Sequence, residues 1–236
     1  MNMGIRLEHV NYIYSPDNAF RKQALRDVNL EIREGEFIGL IGHTGSGKST
    51  LIKLLDGEEI PSSGRVLVDD VDVGKLKHAK VPIYRRNIGV VFQDFRLLPS
   101  MTVFENIAFA MECVGESKVN IRKRVREVLE LVSLSDKAKA FPSELSGGQQ
   151  QRATIGRAIA NRPKVLIADE PTGNLDPEKS IEIMELLERI NEEEHTTILM
   201  VTHDSTIVNK LKKRTIALEE GYIVADIMKG GYLQHD

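Results

Sequence analysis

Nine consecutive residues, Gly42-His43-Thr44-Gly45-Ser46-Gly47-Lys48-Ser49-Thr50, have the types and spacing that bind a polyphosphate. They fit G-x-x-x-x-G-K-[ST], a loop in which main-chain N–H groups and the positive end of a helix converge on one anion. Gly42, Gly45 and Gly47 let the backbone turn tightly and approach phosphate oxygens without a Cβ in the way. Lys48 is placed to reach the β and γ phosphates, and the Ser49 hydroxyl to hold Mg²⁺. Thr50 supplies a further hydroxyl. The expected ligand is therefore a triphosphate with its magnesium ion.

A second chemical element follows the apolar run Val165 to Ala168, which ends in Asp169-Glu170. Two carboxylates delivered to the end of a buried strand burden a purely structural sheet. As chemistry they make sense: Asp169 binds Mg²⁺ through water, and Glu170 polarises the water that attacks phosphorus. A third element is Leu145-Ser146-Gly147-Gly148-Gln149, at the head of a helix expected to run to Arg162. A helix N-terminus carrying a serine and two glycines is a second anion site, one that the chain's own phosphate loop does not need.

The elements that must position these groups alternate. Glu36 to Ile41 reads as a short buried strand before the glycine loop, and Ser49 to Leu55 as a helix after it, closed by Asp56-Gly57. Ile88 to Phe92 is another buried strand, ending at Gln93 and followed by the apolar loop Phe95-Arg96-Leu97-Leu98-Pro99. Helical segments continue to about residue 140. Pro177 to Glu193 reads as a helix and Thr197 to Val201 as a strand before His203. Strands alternating with helices imply an α/β fold around a mainly parallel sheet, with ligands at the carboxyl ends of the strands.

Other stretches alternate with period two. Ile5 to Val10 and Val28 to Ile32 predict an antiparallel layer, and Arg65 to Val68 a further strand. Thr215 to Glu219 and Tyr222 to Val224, joined at Glu220-Gly221, predict a closing hairpin. Tyr14, just before the loop signal Ser15-Pro16-Asp17-Asn18, suits either stacking on a base or packing at a strand end. Asp69-Asp70-Val71-Asp72 lacks the spacing and closing Glu of a calcium loop and is read as a solvated turn. In the helical stretch Ile121, Val125, Val128, Leu129 and Val132 share one face, leaving Arg122, Lys123, Arg124 and Arg126 as a solvated basic face. Lys210, Lys212, Lys213 and Arg214 are read the same way.

Composition sets the bounds. With 236 residues the chain can bury one substantial core, with or without a smaller satellite. A net charge of −3 gives no basic field that would favour nucleic acid. The lone Cys113 cannot form an internal disulfide, which fits a reducing compartment. Neither an apolar run of membrane-spanning length nor a signal-peptide core in Met1 to His9 is present, so a cytoplasmic location, or a peripheral one on a membrane's cytoplasmic side, is expected.

Taken together the motifs resemble the ATP-binding cassette (ABC) family over the whole chain. The resemblance implies the P-loop ABC ATPase fold, with residues 1–236 forming a single nucleotide-binding domain and a helical subdomain at about 94–162. It makes Tyr14 the base-stacking aromatic, Gln93 the Mg²⁺ and water sensor, Asn174-Leu175-Asp176 the dimer-crossing loop and His203 the γ-phosphate switch. It also implies ATP and Mg²⁺ as cofactors and a homodimer formed on ATP binding, in which Ser146, Gly147, Gly148 and Gln149 of one subunit meet the ATP held by Lys48 of the other. Within the family, residues from about 51 onward look most like cell-division ATP-binding proteins of the FtsE type. Those work with a polytopic membrane partner, FtsX, to switch on peptidoglycan hydrolases. That likeness rests on Ile88 to Pro99, on Ala168 to Pro177 and on Lys229-Gly230-Gly231-Tyr232. The first fifty residues, with Tyr12-Ile13-Tyr14, the Ser15 to Lys22 loop and Gly42 to Lys48, look more like the ATPases of energy-coupling-factor importers, so the chain reads as a mosaic, natural or engineered. A chromosome-maintenance ATPase would need long heptad insertions between Lys48 and Asp169, and a ribosome-acting relative two cassettes; neither is present. A regulator without turnover would have an altered Glu170 or His203, and both are intact.

Overall fold

A computed structural model describes residues 3–15, 22–204, 207 and 212–228. Lys210, residues 16–21 of the loop after Ser15, and the closing Lys229 to Tyr232 lie outside the described residues. Two compact units emerge: Met1–Arg85 with Thr197–Asp236, and Arg86–Thr196.

The first unit opens with two long strands, β1 (Met3–Tyr14) and β2 (Lys22–Arg33), paired antiparallel with Ile5 opposite Ile32 and Tyr12 opposite Leu25. Along β2 the apolar side chains of Val28, Leu30 and Ile32 turn inward while their neighbours face out, the two-residue period of a half-buried sheet. The strand extends past Val10, so Tyr12 and Tyr14 belong to it. After β2 comes β3 (Phe37–Ile41), buried at every position. After the phosphate loop, α1 (Lys48–Leu55) buries Leu51, Ile52, Leu54 and Leu55 and stops at Asp56, with Gly57 in the left-handed region at φ 73°. β4 (Ser63–Val68) pairs antiparallel with β1 and then with the short β5 (Val71–Asp72), giving a sheet of order β2-β1-β4-β5. The Asp69-Asp70 turn joins these last two strands, and Asp72 is held by Arg65 and Lys75, each at 3.2 Å. A short helix, α2 (Val81–Tyr84), places the Tyr84 hydroxyl on the Leu55 carbonyl at the end of α1.

The second unit contains β6 (Ile88–Val91) and four helices, α3 (Val103–Glu112), α4 (Lys118–Leu131), α5 (Gly147–Ile159) and α6 (Pro177–Glu194), with β7 (Val165–Asp169) between the last two. β6 and β7 are parallel, with Ile88 opposite Val165 and Val91 opposite Ala168. Helix starts are chemically marked: Thr102 and Glu105 form a capping box on α3, and Ser117 caps α4. The buried Asn106 amide donates to the carbonyls of Leu98, Met101 and Thr102 and accepts from Leu98 N–H at 2.8 Å, which fixes the apolar loop before α3.

The remaining strands return to the first unit. β8 (Thr197–Thr202) and β9 (Arg214–Glu219) run parallel to β3 on either side of it, and β10 (Tyr222–Ile227) folds back antiparallel on β9 as the expected hairpin. Continuous apolar runs in β3 and β8 are what a strand covered on both faces requires.

Two basic residues depart from the expected solvated faces. Arg124 is 5% exposed; it donates to the carbonyls of Ile159 and Ala160 at the end of α5 and pairs with Glu194 at 2.9 Å. It sits at the margin of the apolar stripe of α4, where a long side chain reaches the carbonyls that close a neighbouring helix. Arg214 is likewise enclosed, between Asp226 at 2.6 Å, Glu36 at 3.1 Å and the Glu31 carbonyl. The signature helix α5, headed by Leu145-Ser146-Gly147-Gly148-Gln149, also ends earlier than expected, at Ile159 rather than Arg162.

Candidate nucleotide site

In the first unit, β3 delivers the phosphate loop. Its crest, His43, Thr44 and Gly45, is exposed, while its roots Gly42, Ser46 and Gly47 are buried. The roots need glycine. A Cβ on Gly42 would collide with the Leu218 carbonyl, and one on Gly47, at φ 115°, would come within 2.6 Å of the Ala24 carbonyl. At Gly45, φ 85°, a Cβ position meets nothing within 4 Å, so the crest is open space. Lys48 Nζ donates to the carbonyls of Gly42 at 2.6 Å and His43 at 3.0 Å, which curls the ammonium back over the loop. An open crest, a buried glycine root and an ammonium over the concavity suit a polyphosphate.

Ser49 is exposed at the first turn of α1, whereas Thr50 is buried. The Thr50 hydroxyl is 3.1 Å from the Tyr14 hydroxyl. Tyr14 itself is half-buried, with its ring packed edge-on against Tyr12 at 4.8 Å between centroids. Tyr12 donates its hydroxyl to Glu59 at 2.6 Å, and burial, followed by this carboxylate, pushes its pKa up. The aromatic pair is thereby tied at both hydroxyls to α1 and the turn after it. His203 follows directly on β8 and is exposed. Since Ile41 stands opposite Thr202 in the parallel register, the phosphate loop and His203 leave the sheet at the same end.

In the second unit the same geometry recurs. Val91 stands opposite Ala168, so Gln93 and the Asp169-Glu170 pair also leave their strands at one end. Glu170 has φ 47°, a left-handed conformation that a non-glycine residue adopts at a cost of about 1 kcal/mol or more. Its carbonyl accepts from Gly173 N–H at 3.1 Å, beginning the turn that carries Asn174, Leu175 and Asp176. Asn174 donates its amide to the Gln93 carbonyl at 2.9 Å, and Gln93 Nε2 lies so close to Gly173 that a Cβ there would be 3.0 Å away. Asp176 caps α6, accepting from Lys179 N–H at 2.9 Å.

The signature residues form the N-terminus of α5. Ser146 and Gln149 make a capping box: Ser146 Oγ accepts from Gln149 N–H at 3.3 Å and Gln149 Oε1 accepts from Ser146 N–H at 3.0 Å. Ser146 is exposed, and its hydroxyl proton is left over to donate outward. Gly148 is buried against the methylenes of Lys179, where a Cβ would stand 3.3 Å away, and Gly147 faces Leu175.

Sequence reasoning missed the residues that brace these loops. Gly221, in the β9–β10 turn, donates its N–H to the Ser46 carbonyl at 2.9 Å. Thr154 and Arg157 on α5 reach the segment just after Gln93. Nothing in their local spacing marks them, because each acts across a long stretch of chain.

Comparison with known proteins identifies the family. The ABC transporter family profile matches residues 25–173. The cell division ATP-binding protein FtsE of Streptococcus pneumoniae serotype 2 is 56% identical over 209 residues, covering 89% of this chain and 90% of that protein. A dimeric ATP-binding cassette in a post-hydrolysis state, bound to ADP and Pi, superposes with a TM-score of 0.84 at 36% identity, over 97% of this chain and 100% of its own. The protein cbiO1 of Clostridium perfringens, part of the ABC transporter complex cbiONQ, gives a TM-score of 0.88 at 34% identity, over 96% of this chain and 88% of its own. The chain belongs to the ABC transporter family, whose members are ATP-hydrolysing cassettes.

Proposed function

We propose that this chain is the ATP-hydrolysing subunit of a membrane complex of the cell-division type. Two copies close on two ATP molecules, and closure drives an FtsX-like polytopic partner that regulates peptidoglycan hydrolysis outside the cell. The observation that carries the division role is the 56% identity with an FtsE protein over nine-tenths of both chains. Both described units act as one nucleotide-binding domain, with the helical part at about 94–162 facing the partner. In this reading the chain is held at the cytoplasmic face by that partner; no helix among the described residues is long and apolar enough to cross a membrane.

In this reading Tyr14 stacks on the base and residues 42–50 cradle the phosphates, with Lys48 offsetting their charge. Ser49, Gln93 and Asp169 would hold Mg²⁺, which when bound neutralises charge between the β and γ phosphates. Glu170 accepts a proton from the attacking water, and His203 contacts the γ-phosphate. Ser146, Gly147, Gly148 and Gln149 meet the ATP bound by the second copy, and Asp176 lies on the loop that crosses between copies. The capping box supports that role, since it spends the Ser146 oxygen inward and leaves its proton for an incoming anion.

A second reading, the ATPase of an energy-coupling-factor vitamin or metal importer, is favoured by the likeness to cbiO1 and by the first fifty residues. Copurification from membranes, with identification of the attached polytopic protein, separates the two. A division-type permease is expected; an importer scaffold would overturn the division role. Lys48→Ala tests the site itself, since it should abolish tight binding of a fluorescent ATP analogue, and unchanged affinity would refute the assignment.

A further inference from the structure

The segment after Gln93 has an unusual local conformation. Phe95 and Arg96 are both left-handed, with φ 56° and 52°, although neither is glycine. Two consecutive residues hold this shape only where surrounding contacts over-determine it. Here the contacts come from α5. Arg157 Nη1 donates to the Arg96 carbonyl at 2.6 Å and Nη2 to the Phe95 carbonyl at 3.1 Å, while Thr154 Oγ1 donates to the same Phe95 carbonyl at 3.0 Å.

These bonds are specific in kind. The Arg157 guanidinium is half-buried, and among the described residues it pairs with no carboxylate. Its charge faces two main-chain carbonyls. The Arg96 side chain turns away, with its guanidinium 3.7 Å from the Phe92 ring centroid and its Nε 3.0 Å from Asp94. Burial, and then the neighbouring Arg96 charge, hold Arg157 below the usual guanidinium range, so the carbonyl pair is what makes the enclosed cation tolerable. A forked, planar donor is the side chain that can grip two adjacent carbonyls at once. From the other side, Asn174 grips the Gln93 carbonyl.

We propose that Arg157, assisted by Thr154, is a positioning residue that fastens the Gln93 loop to the signature helix, so that Gln93 and the Ser146 end of α5 move as one body. The inference rests on the proposed role of Gln93 at the γ-phosphate. Phosphate sensing in one subunit then shifts the helix whose N-terminus engages the ATP of the other, through a rigid link and not through a flexible loop. Loss of the fork should leave ATP binding intact, because the phosphate loop is untouched, and should impair the step that follows closure.

Steady-state ATPase measurements on Arg157→Lys, Gln93→Ala and the double variant test this. Lysine keeps the charge but cannot hold both carbonyls. Arg157→Lys is expected to lower kcat about tenfold with KM for ATP within about twofold, and the double variant to be no slower than Gln93→Ala alone, since residues acting as a unit are non-additive. Thr154→Val, which removes the hydroxyl shared between the Phe95 and Gln150 carbonyls at nearly constant volume, should lower kcat about threefold and guards against a misfolded lysine variant. If the Arg157 and Gln93 effects multiply, or if Arg157→Lys and Thr154→Val both turn over at the wild-type rate, the link is refuted while the site stands. Wild-type kcat in Gln93→Ala would overturn the role of Gln93 and the link with it.

Discussion

The main-chain N–H of Gly221 is bonded to the carbonyl of Ser46 at 2.9 Å, so a hairpin turn near the end of the chain braces the phosphate loop near its beginning. Ala24 completes the arrangement: its carbonyl lies against both Gly47 and Gly221, closely enough that a Cβ on either would meet it within 2.8 Å. The antiparallel layer therefore sets the surface against which the glycine root of this loop is pressed.

Gly221→Ala is expected to weaken ATP binding as well as stability. The new methyl meets the Ala24 carbonyl at 2.8 Å and the position has φ 86°, so strain of about 1–3 kcal/mol follows. Calorimetry should show nucleotide affinity lower by about tenfold or more and a melting temperature lower by roughly 2–4 °C per kcal/mol. Lowered stability with unchanged affinity would mean that the turn does not brace the loop.

Glu170→Gln keeps the shape of the side chain and removes the base. Turnover should fall by roughly 10² to 10⁴. ATP should then trap the closed dimer, seen as an ATP-dependent doubling of mass in light scattering.

Leu98→Glu tests whether the apolar loop Phe95 to Pro99 serves as the docking surface for the membrane partner or as part of the core. The Leu98 side chain is half-buried, while its main chain is fixed by Asn106. The variant should keep its ATP affinity and melting temperature and lose copurification with the membrane partner.

Arg124→Met should destabilise the helical part strongly. It removes two bonds to the carbonyls at the end of α5 and leaves Glu194, 20% exposed, without its closest cation. Breaking a buried pair from one side costs about 3–5 kcal/mol. Glu194→Gln in the same background should recover part of the loss, which thermal unfolding can measure.

Acid should release the Arg214 tie. The hydrogen bond from Arg214 holds the Asp226 carboxyl below the usual carboxylate range, against the opposing effect of partial burial. A depressed folded-state value contributes stability above the unfolded pKa of about 3.9 and loses it as pH falls through the folded one. The melting-temperature difference between wild type and Asp226→Asn should therefore be largest near neutrality and vanish in strong acid.

Much of this protein is legible in short stretches of sequence, because the physics involved is local. The loop from Gly42 to Thr50 announces itself through glycine spacing, the strand Val165 to Ala168 through its apolar run into two carboxylates, and the start of α5 through a serine that can cap its own helix. Hydrophobic periodicity likewise predicts the antiparallel pair, the hairpin and the apolar face of α4. What the tertiary structure decided is the fate of groups whose partners lie far along the chain. Arg124 and Arg214 look like members of solvated basic runs, yet one closes a neighbouring helix and the other lies between Glu36 and Asp226. Thr50 reads as a further hydroxyl of the phosphate loop, and only folding sets that hydroxyl 3.1 Å from the hydroxyl of Tyr14. Gly221 looks like any hairpin glycine, and Arg157 like any helical arginine, until folding sets one against Ser46 and the other against Phe95 and Arg96. Charge and hydrogen-bonding capacity are written in residue type; which distant carbonyl or carboxylate satisfies them is fixed only when strand register and helix packing bring the partners within three ångströms or so.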